Sequence, residues 1–442
     1  MNAIFDRFVE VWRQLPSAER YFVAYSGGLD SHVLLHLCVH LRRVGLIEEL
    51  AAIHVHHGLM SNADTWAHHC EAIAKELTVK FRLFKVQAGA KPGQSKEEAA
   101  RDARYQALRQ IVTGGCHLLT AQHQDDQAET MLLQLFRGSG LAGLSAMPEV
   151  KAFGEGRLIR PLLGFTRETL HEYADANSLV WVNDSSNDDR RYDRNYLRHE
   201  VMPILKERWP GISRVLTRTS RHCSEAHGLL TDFASEKLHS VQGTAPNSLS
   251  ISALAELGVP YQRLVIRKWI TVSGYRCPAA RIVDRVIKEV LPARLDRMPI
   301  VCWSEGEIRR YRNDLFIFPL SNEFDSGVVV SWLGNAPLQL PYGNGRLATV
   351  RGTGEGIPSQ LWKNGRISVR YRRGAERCKI PNRVGHHCLK KLFQEKGIPP
   401  WERQRIPLIY IDDVLAVVGD AWVCEPFFNK CNDGNIQVVW TR

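Results

Sequence analysis

Ser26-Gly27-Gly28-Leu29-Asp30-Ser31 follows the apolar run Tyr21-Phe22-Val23-Ala24-Tyr25 and precedes Val33, Leu34, Leu35 and Leu37. A strand, a glycine turn and a helix are written there, and they decide the fold. Gly27 and Gly28 permit a tight turn and close approach of the backbone to a ligand. A helix opening at Asp30 aims free N–H groups and its positive dipole end at whatever sits above that turn. A phosphate chain is the simplest such ligand. The familiar phosphate loop, GxxxxGK[ST], ends in a lysine that is missing here, and an aspartate stands in the turn instead. A carboxylate beside phosphates repels them unless a divalent cation lies between, so Asp30 is expected to hold Mg2+. The Ser26 and Ser31 hydroxyls are expected to donate to phosphate oxygens.

Downstream, the alternation of strand and helix continues. Leu34 to Leu41 has helical apolar spacing, Leu50 to Val55 is a second buried strand, and Val79 to Val86 is a third. His54, His56 and His57 end the second strand, but no cysteine or carboxylate nearby completes a zinc set. His56, His57 and Gly58 instead mark a carboxyl strand end, the edge where open α/β sheets hold ligands. Ser61 or Asn62 can cap the next helix, which runs to about Leu77. Ser95 and Glu98 form a capping box for a helix bearing Arg101, Arg104 and Tyr105, where a solvated basic face is an equal alternative to a binding role. The strand His117 to Ala121 then runs into Gln122, His123, Gln124, Asp125, Asp126 and, one turn on, Glu129. Helical geometry puts Asp126 and Glu129 on one face and rotates Asp125 off it, where Asp125 can serve as a simple cap. A site role for Asp126 is favoured because the cluster falls at the same sheet edge as the glycine turn.

After the glycine-rich Arg137–Leu144 connection and Arg160-Pro161-Leu162-Leu163, a helix is expected over Thr166 to Asn177. The polar run from Trp181 ends in Arg194 and Arg198, four residues apart and so on one helix face, with Asp184 and Asn187 upstream to anchor a turn. Beyond Trp209 the pattern turns to long helices and closes on one basic strand, Glu307 to Phe318. The chain after Pro319 is β-rich. Residues 366–442 hold 14 Lys and Arg against 8 Asp and Glu, about half the chain's excess of +11. That charge, spread over 442 residues in two or three domains, favours a polyanionic partner. Ten cysteines without a CxxC pair suit reduced thiols in a cytosol. With charged residues in the first twenty and no long uncharged run, the expectation is a cytoplasmic protein without a membrane partner.

Taken in order over about residues 20–205, SGGLDS, HHGL (56–59), ARDARY (100–105), HQDDQAET (123–130), RGSG (137–140), RPLL (160–163), DSSN (184–187) and RNYLR (194–198) resemble the tRNA(Ile)-lysidine synthases. These belong to the PP-loop ATP pyrophosphatase superfamily. LKKLFQEKGIPPWERQRIPLIY (389–410) is similar to the C-terminal domain of their long form. The resemblance implies a doubly wound, mostly parallel α/β sheet of the adenine nucleotide alpha hydrolase-like kind in residues 1–212. A mainly helical substrate or tRNA-binding domain (213–320) follows, then a linker and basic α+β tRNA-binding domain (321–442). It implies a carbon–nitrogen ligase using ATP, Mg2+, L-lysine and tRNA(Ile) with a CAU anticodon, acting through an adenylated cytidine; a dimer is compatible with it. Carried over by position, Asp30, Asp126 and Arg194 are catalytic, and Ser26, Gly27, Gly28, Leu29, Asp30 and Ser31 bind nucleotide. His56, His57, Arg101, Arg104, His123, Asp125 and Arg198 bind substrate, with Asp126 the candidate base for the lysine amine. A PP-loop tRNA thiolase shares the ATP chemistry but usually needs cysteines of a kind not evident here. A non-catalytic RNA-binding protein would leave SGGLDS idle.

Overall fold

The computed structural model describes residues 2–56, 63–86, 96–183, 188–294, 297–320, 324–430 and 433–441. His57, Gly58, Ser61, Asn62, Ser95, Asp184 and Asn187 lie outside them. The chain divides into two compact units, Met1–Phe233 and Ala234–Arg442.

The first unit runs α1 (Asn2–Trp12), β1 (Arg20–Ala24), α2 (Leu29–Arg43), β2 (Glu49–His56), α3 (Ala63–Glu76), β3 (Lys80–Lys85), α4 (Lys96–Ile111), β4 (Cys116–Leu119) and α5 (Gln124–Phe136). After α6 (Leu141–Leu144) come a hairpin of β5 (Val150–Phe153) and β6 (Gly156–Ile159), then α7 (Arg167–Ala176), α8 (Asp193–Tyr196), α9 (Met202–Arg208) and α10 (Ile212–Ser240), whose last turns belong to the second unit. The sheet order is β3-β2-β1-β4-β6-β5, parallel throughout except for β5 against β6. Alternate side chains of β1 serve opposite layers, as the strand's period of two requires. Tyr21, Val23 and Tyr25 pack with α1, α2 and α7, while Phe22 packs with Leu108 of α4 and neighbouring Val112. Helices therefore cover both faces, as the doubly wound expectation demands. The strand order turns back between β1 and β4, and ligands of such sheets sit outside the carboxyl ends at that switch point.

Capping explains the limits of α7. Thr166 accepts a bond from the Thr169 N–H, and Asn177 closes the last turn, so the sequence range 166–177 was the helix with its caps. The glycine-rich Arg137–Leu144 connection, in contrast, ends in the short helix α6, which its glycines did not suggest.

In the second unit, the helices Ile251–Ala255, Val259–Val272 and Ala280–Arg285 pack with a four-stranded antiparallel sheet. The strand expected over Glu307 to Phe318 is a hairpin, Gly306–Tyr311 and Asp314–Pro319, with Tyr311 opposite Asp314. Arg312, at φ +53°, and Asn313 make its two-residue turn, a conformation that apolar periodicity cannot announce. From Val330 onward the strands belong to further antiparallel sheets over a separate core. Arg346–Thr353 pairs along the C-terminal strand Asp433–Thr441, so this stretch is woven into the last module and does not merely lead to it. Among the described residues no helix is long and apolar enough to cross a membrane.

Candidate active site

The turn between β1 and α2 is closed by its own side chains. Ser31 Oγ donates to the Gly28 carbonyl (2.9 Å) and accepts from the Ser26 N–H (3.2 Å), and the Ser26 and Ser31 hydroxyls lie 3.0 Å apart. Both hydroxyls thus brace the turn, and donation to a phosphate requires them to exchange partners. A second segment docks on it: the Val182 N–H donates to the Gly27 carbonyl (3.0 Å), and His32 Nδ1 lies 2.9 Å from the Val180 carbonyl. This brings Trp181 and Asn183 to the mouth of the same cavity, which the spacing of the sequence did not foretell.

Asp30, in the first turn of α2, points at the start of α5. Its Oδ2 lies 3.7 Å from His123 Nε2, whereas Oδ1 is shut off from solvent with no hydrogen-bond partner. Burial pushes the Asp30 carboxyl above its ordinary range; the His123, Arg167 and Arg198 charges offset this only in part. His123, not Asp125, is the N-cap of α5. Its Nδ1 accepts from the Asp126 N–H (3.4 Å) while Asp126 Oδ2 accepts from the His123 N–H (3.1 Å). The other ring nitrogen, Nε2, faces Asp30 Oδ2 (3.7 Å) and Asp126 Oδ2 (3.4 Å).

One turn into α5 the carboxylates meet two arginines. Arg194, on α8, donates through Nε to Glu129 Oε2 (2.9 Å) and through Nη2 to Asp126 Oδ1 (3.0 Å). Arg198 donates through Nε to Glu129 Oε1 (2.7 Å), and its Nη2 reaches Glu129 Oε2 (2.8 Å) and Asp126 Oδ1 (2.9 Å). Arg198 stands in a π-type turn, Leu197–Val201, of the kind often found at functional sites. Glu129, 2 % exposed, was visible on the Asp126 face of the helix but unassigned; its partners lie 65 and 69 residues away. Burial works to raise the Asp126 carboxyl, yet His123, Arg194 and Arg198 outweigh it and hold it below the ordinary value. Asp126, the base expected at this position, thus lies in the site with its carboxylate bonded to both arginines.

The cavity at the switch point measures about 550 Å3. Into its lining come Ser26, Gly28, Leu29, Asp30, Ser31, His56, Arg104, Asp126 and Arg198 from the expected set, along with Trp66, Tyr105, Arg167 and His171. Arg101 is exposed beside Tyr105 and does not line it. Asp125 does not line it either. It accepts bonds from the Arg167 N–H (2.9 Å), Lys206 Nζ (2.6 Å) and Ser213 Oγ (2.9 Å), which tie α5 to α7, α9 and α10. Against the upward push of burial, these bonds draw its pKa down to about 2. Its place is structural, because a carboxylate with three donors has little left for a substrate. Among the described residues no group of three or more His, Cys, Asp or Glu side chains is arranged to hold a metal.

Residues 2–205 match the family model of a PP-loop domain, 249–316 that of a TilS substrate binding domain, and 367–440 that of a TilS substrate C-terminal domain. The tRNA(Ile)-lysidine synthase of Methylococcus capsulatus is 46% identical over 423 residues, covering 95% of this chain and 96% of its own. That of Coxiella burnetii is 41% identical over 425 residues, covering 96% and 94%. The chain belongs to the tRNA(Ile)-lysidine synthase family. Among solved structures, the U34-tRNA thiolase NcsA of Methanococcus maripaludis aligns over 50% of this chain and 80% of its own, with a TM-score of 0.42 and 15% identity. In this chain the PP-loop module comes first and the two TilS modules follow it.

Proposed function

We propose that this protein ligates L-lysine, through its side-chain amine, to C2 of the cytidine at the first anticodon position of a tRNA(Ile) bearing CAU. The reaction consumes ATP, passes through an adenylated cytidine and releases AMP and pyrophosphate, changing the codon read from AUG to AUA. The observation that carries this reading is the match to curated synthases over nearly the whole of both chains.

Ser26 to Ser31 cradle the triphosphate at the switch point. Asp30 fits a Mg2+ ion, because its buried, unpartnered Oδ1 and raised proton affinity are both relieved by a bound cation. Phosphate oxygens and water would complete that ion's shell, and once bound it supplies charge neutralisation at the phosphates. The cytidine base, turned out of the anticodon loop, presents its C2 oxygen to the α-phosphorus. Adenylation converts an oxide that cannot leave into AMP, which can. Lysine then attacks C2 as the neutral amine, whose reference pKa of about 10.4 lies roughly 3.4 units above pH 7. Asp126 and Glu129 hold Arg194 and Arg198 in a rigid fork that borders the lysine's approach. Asp126, which lines the cavity, is the candidate acceptor for the amine's proton, and taking it requires the carboxylate to loosen its bonds from Arg194 and Arg198. Residues 1–212 form the catalytic domain, 213–320 the substrate module and 321–442 the C-terminal module, whose basic surface grips the tRNA body in the cytoplasm.

The test incubates purified protein with ATP, Mg2+, radiolabelled lysine and unmodified tRNA(Ile) with a CAU anticodon, beside elongator tRNA(Met) with the same triplet. Label in the first tRNA alone is expected. Pyrophosphate release without label would retain adenylation and exclude lysine as the nucleophile.

A further inference from the structure

Among the described residues three arginines line the cavity, and two are committed. Arg104 lies over the Tyr105 ring at 5.6 Å, and Arg198 is closed between Glu129 and Asp126. Arg167 is different. Its guanidinium has no hydrogen-bond or ion-pair partner among the described residues, yet its charge acts on Asp30, at the phosphate turn. Its backbone is held unusually well. Arg167 opens α7 directly behind the Thr166 cap, and its N–H donates to Asp125 Oδ2 (2.9 Å). The same carboxylate takes Lys206 at 2.6 Å and Ser213 at 2.9 Å, and the Gln124 N–H donates to the Phe165 carbonyl at 2.8 Å. The starts of α5 and α7 are thereby clamped together, and the solvent-exposed guanidinium of Arg167, free of protein partners among the described residues, lines the cavity.

We infer that Arg167 is the phosphate-binding cation of this cavity, contacting the phosphate chain of ATP, and that Asp125 is the positioning residue that fixes the helix start from which it reaches. The inference rests on the ATP reading and deepens it. A guanidinium presents a planar pair of donors that matches phosphate oxygens, and such charge-assisted bonds are the strong ones. Arg167 lines the same cavity as Ser26, Asp30 and Ser31 of the phosphate turn, whereas the lysine carboxylate is the other anion that a free guanidinium could take. Asp125 thus acts in the site without touching substrate, which accounts for a buried carboxylate whose donors come from three other helices.

The experiment compares full-length wild type with Arg167→Gln, Arg167→Lys and Asp125→Asn in the lysine incorporation assay, using inorganic pyrophosphate as competing probe. For Arg167→Gln, KM for ATP and the inhibition constant of pyrophosphate are expected to rise about 10- to 100-fold. KM for lysine and the Kd for tRNA are expected to stay within about twofold, the factor left by an uninvolved charge change. Arg167→Lys keeps the charge without the planar fork and should fall between. Asp125→Asn should weaken pyrophosphate inhibition in wild type and add nothing in the Arg167→Gln background. Unchanged pyrophosphate inhibition in Arg167→Gln overturns the inference, and so does a rise confined to the lysine KM, which would reassign Arg167 to the carboxylate. Additive effects of the two substitutions overturn the positioning role. If wild type itself neither incorporates lysine nor responds to pyrophosphate, the ATP reading fails first, and that result is distinguishable from a failure at Arg167.

Discussion

Gly27 has a backbone φ of +85°, and a Cβ at this position would stand 2.8 Å from Cys70 Sγ. Two separate costs therefore meet in Gly27→Ala. Left-handed backbone disfavours any L side chain by about 1–2 kcal/mol, and the contact with the sulfur adds to it. The substitution is expected to weaken ATP binding severely and to lower unfolding stability by about 2 kcal/mol, read by denaturant titration. Adding Cys70→Ala should recover the steric part and leave the backbone part, so full recovery would show that φ is not strained. Asp125 makes a second prediction at this scale. Its folded pKa of about 2 lies below the ordinary aspartate value of 3.8, so its ionised form stabilises the fold. That contribution, on the order of 2 kcal/mol, is complete above about pH 4 and is lost as pH falls toward 2. The stability difference between wild type and Asp125→Asn, measured from urea midpoints, should therefore shrink between about pH 4 and pH 2. Asp30 and the glycines were legible in the sequence because the turn that uses them is local. The Glu129 partners and the three donors to Asp125 were not, since they arrive from elements 42 to 88 residues away.

At the scale of elements, the start of α5 decides how the site is presented. Asp125 looked like the cap because aspartate is a common N-cap residue, but the chain enters the helix two residues earlier and a histidine takes that role. No propensity points to it, whereas Thr166 and Asn177 at the ends of α7 were legible because both are ordinary capping residues. His123→Ala should cost at least about 1 kcal/mol through the lost cap, while His123→Asn, which keeps an acceptor, should retain most of that stability. Both variants remove the Nε2 group facing Asp30 and Asp126. If His123 served only as a cap, Asn would restore activity together with stability; recovery of stability alone assigns the ring a part in holding Asp30. The hairpin Gly306–Tyr311 and Asp314–Pro319 shows the converse limit. The consecutive polar residues Arg312, Asn313 and Asp314 interrupt the alternation, and the chain reverses there with a positive φ at Arg312.

For the molecule as a whole, charge was the most legible property and its use the least. Residues 366–442 carry 14 basic against 8 acidic side chains, and the helix Leu389–Glu395 displays Lys390 and Lys391 to solvent while Leu389, Leu392 and Phe393 fill the core behind them. The buried face of that helix was readable from its spacing. Whether its exposed face meets RNA is a question of counterions, which no pattern of residues answers. Each phosphate contact formed on double-helical nucleic acid releases about 0.9 of a counterion, so the logarithm of the tRNA association constant should fall linearly with the logarithm of salt concentration. Lys390→Gln with Lys391→Gln should reduce that slope by up to about 2 and weaken binding at low salt more than at high salt. Lysine incorporation at saturating tRNA should stay unchanged, because neither lysine lies in the unit that holds the cavity. Binding measured across a range of KCl concentrations decides it. An unaltered slope would make these lysines a solvated face and shift the charge contacts to the remaining basic residues of the module.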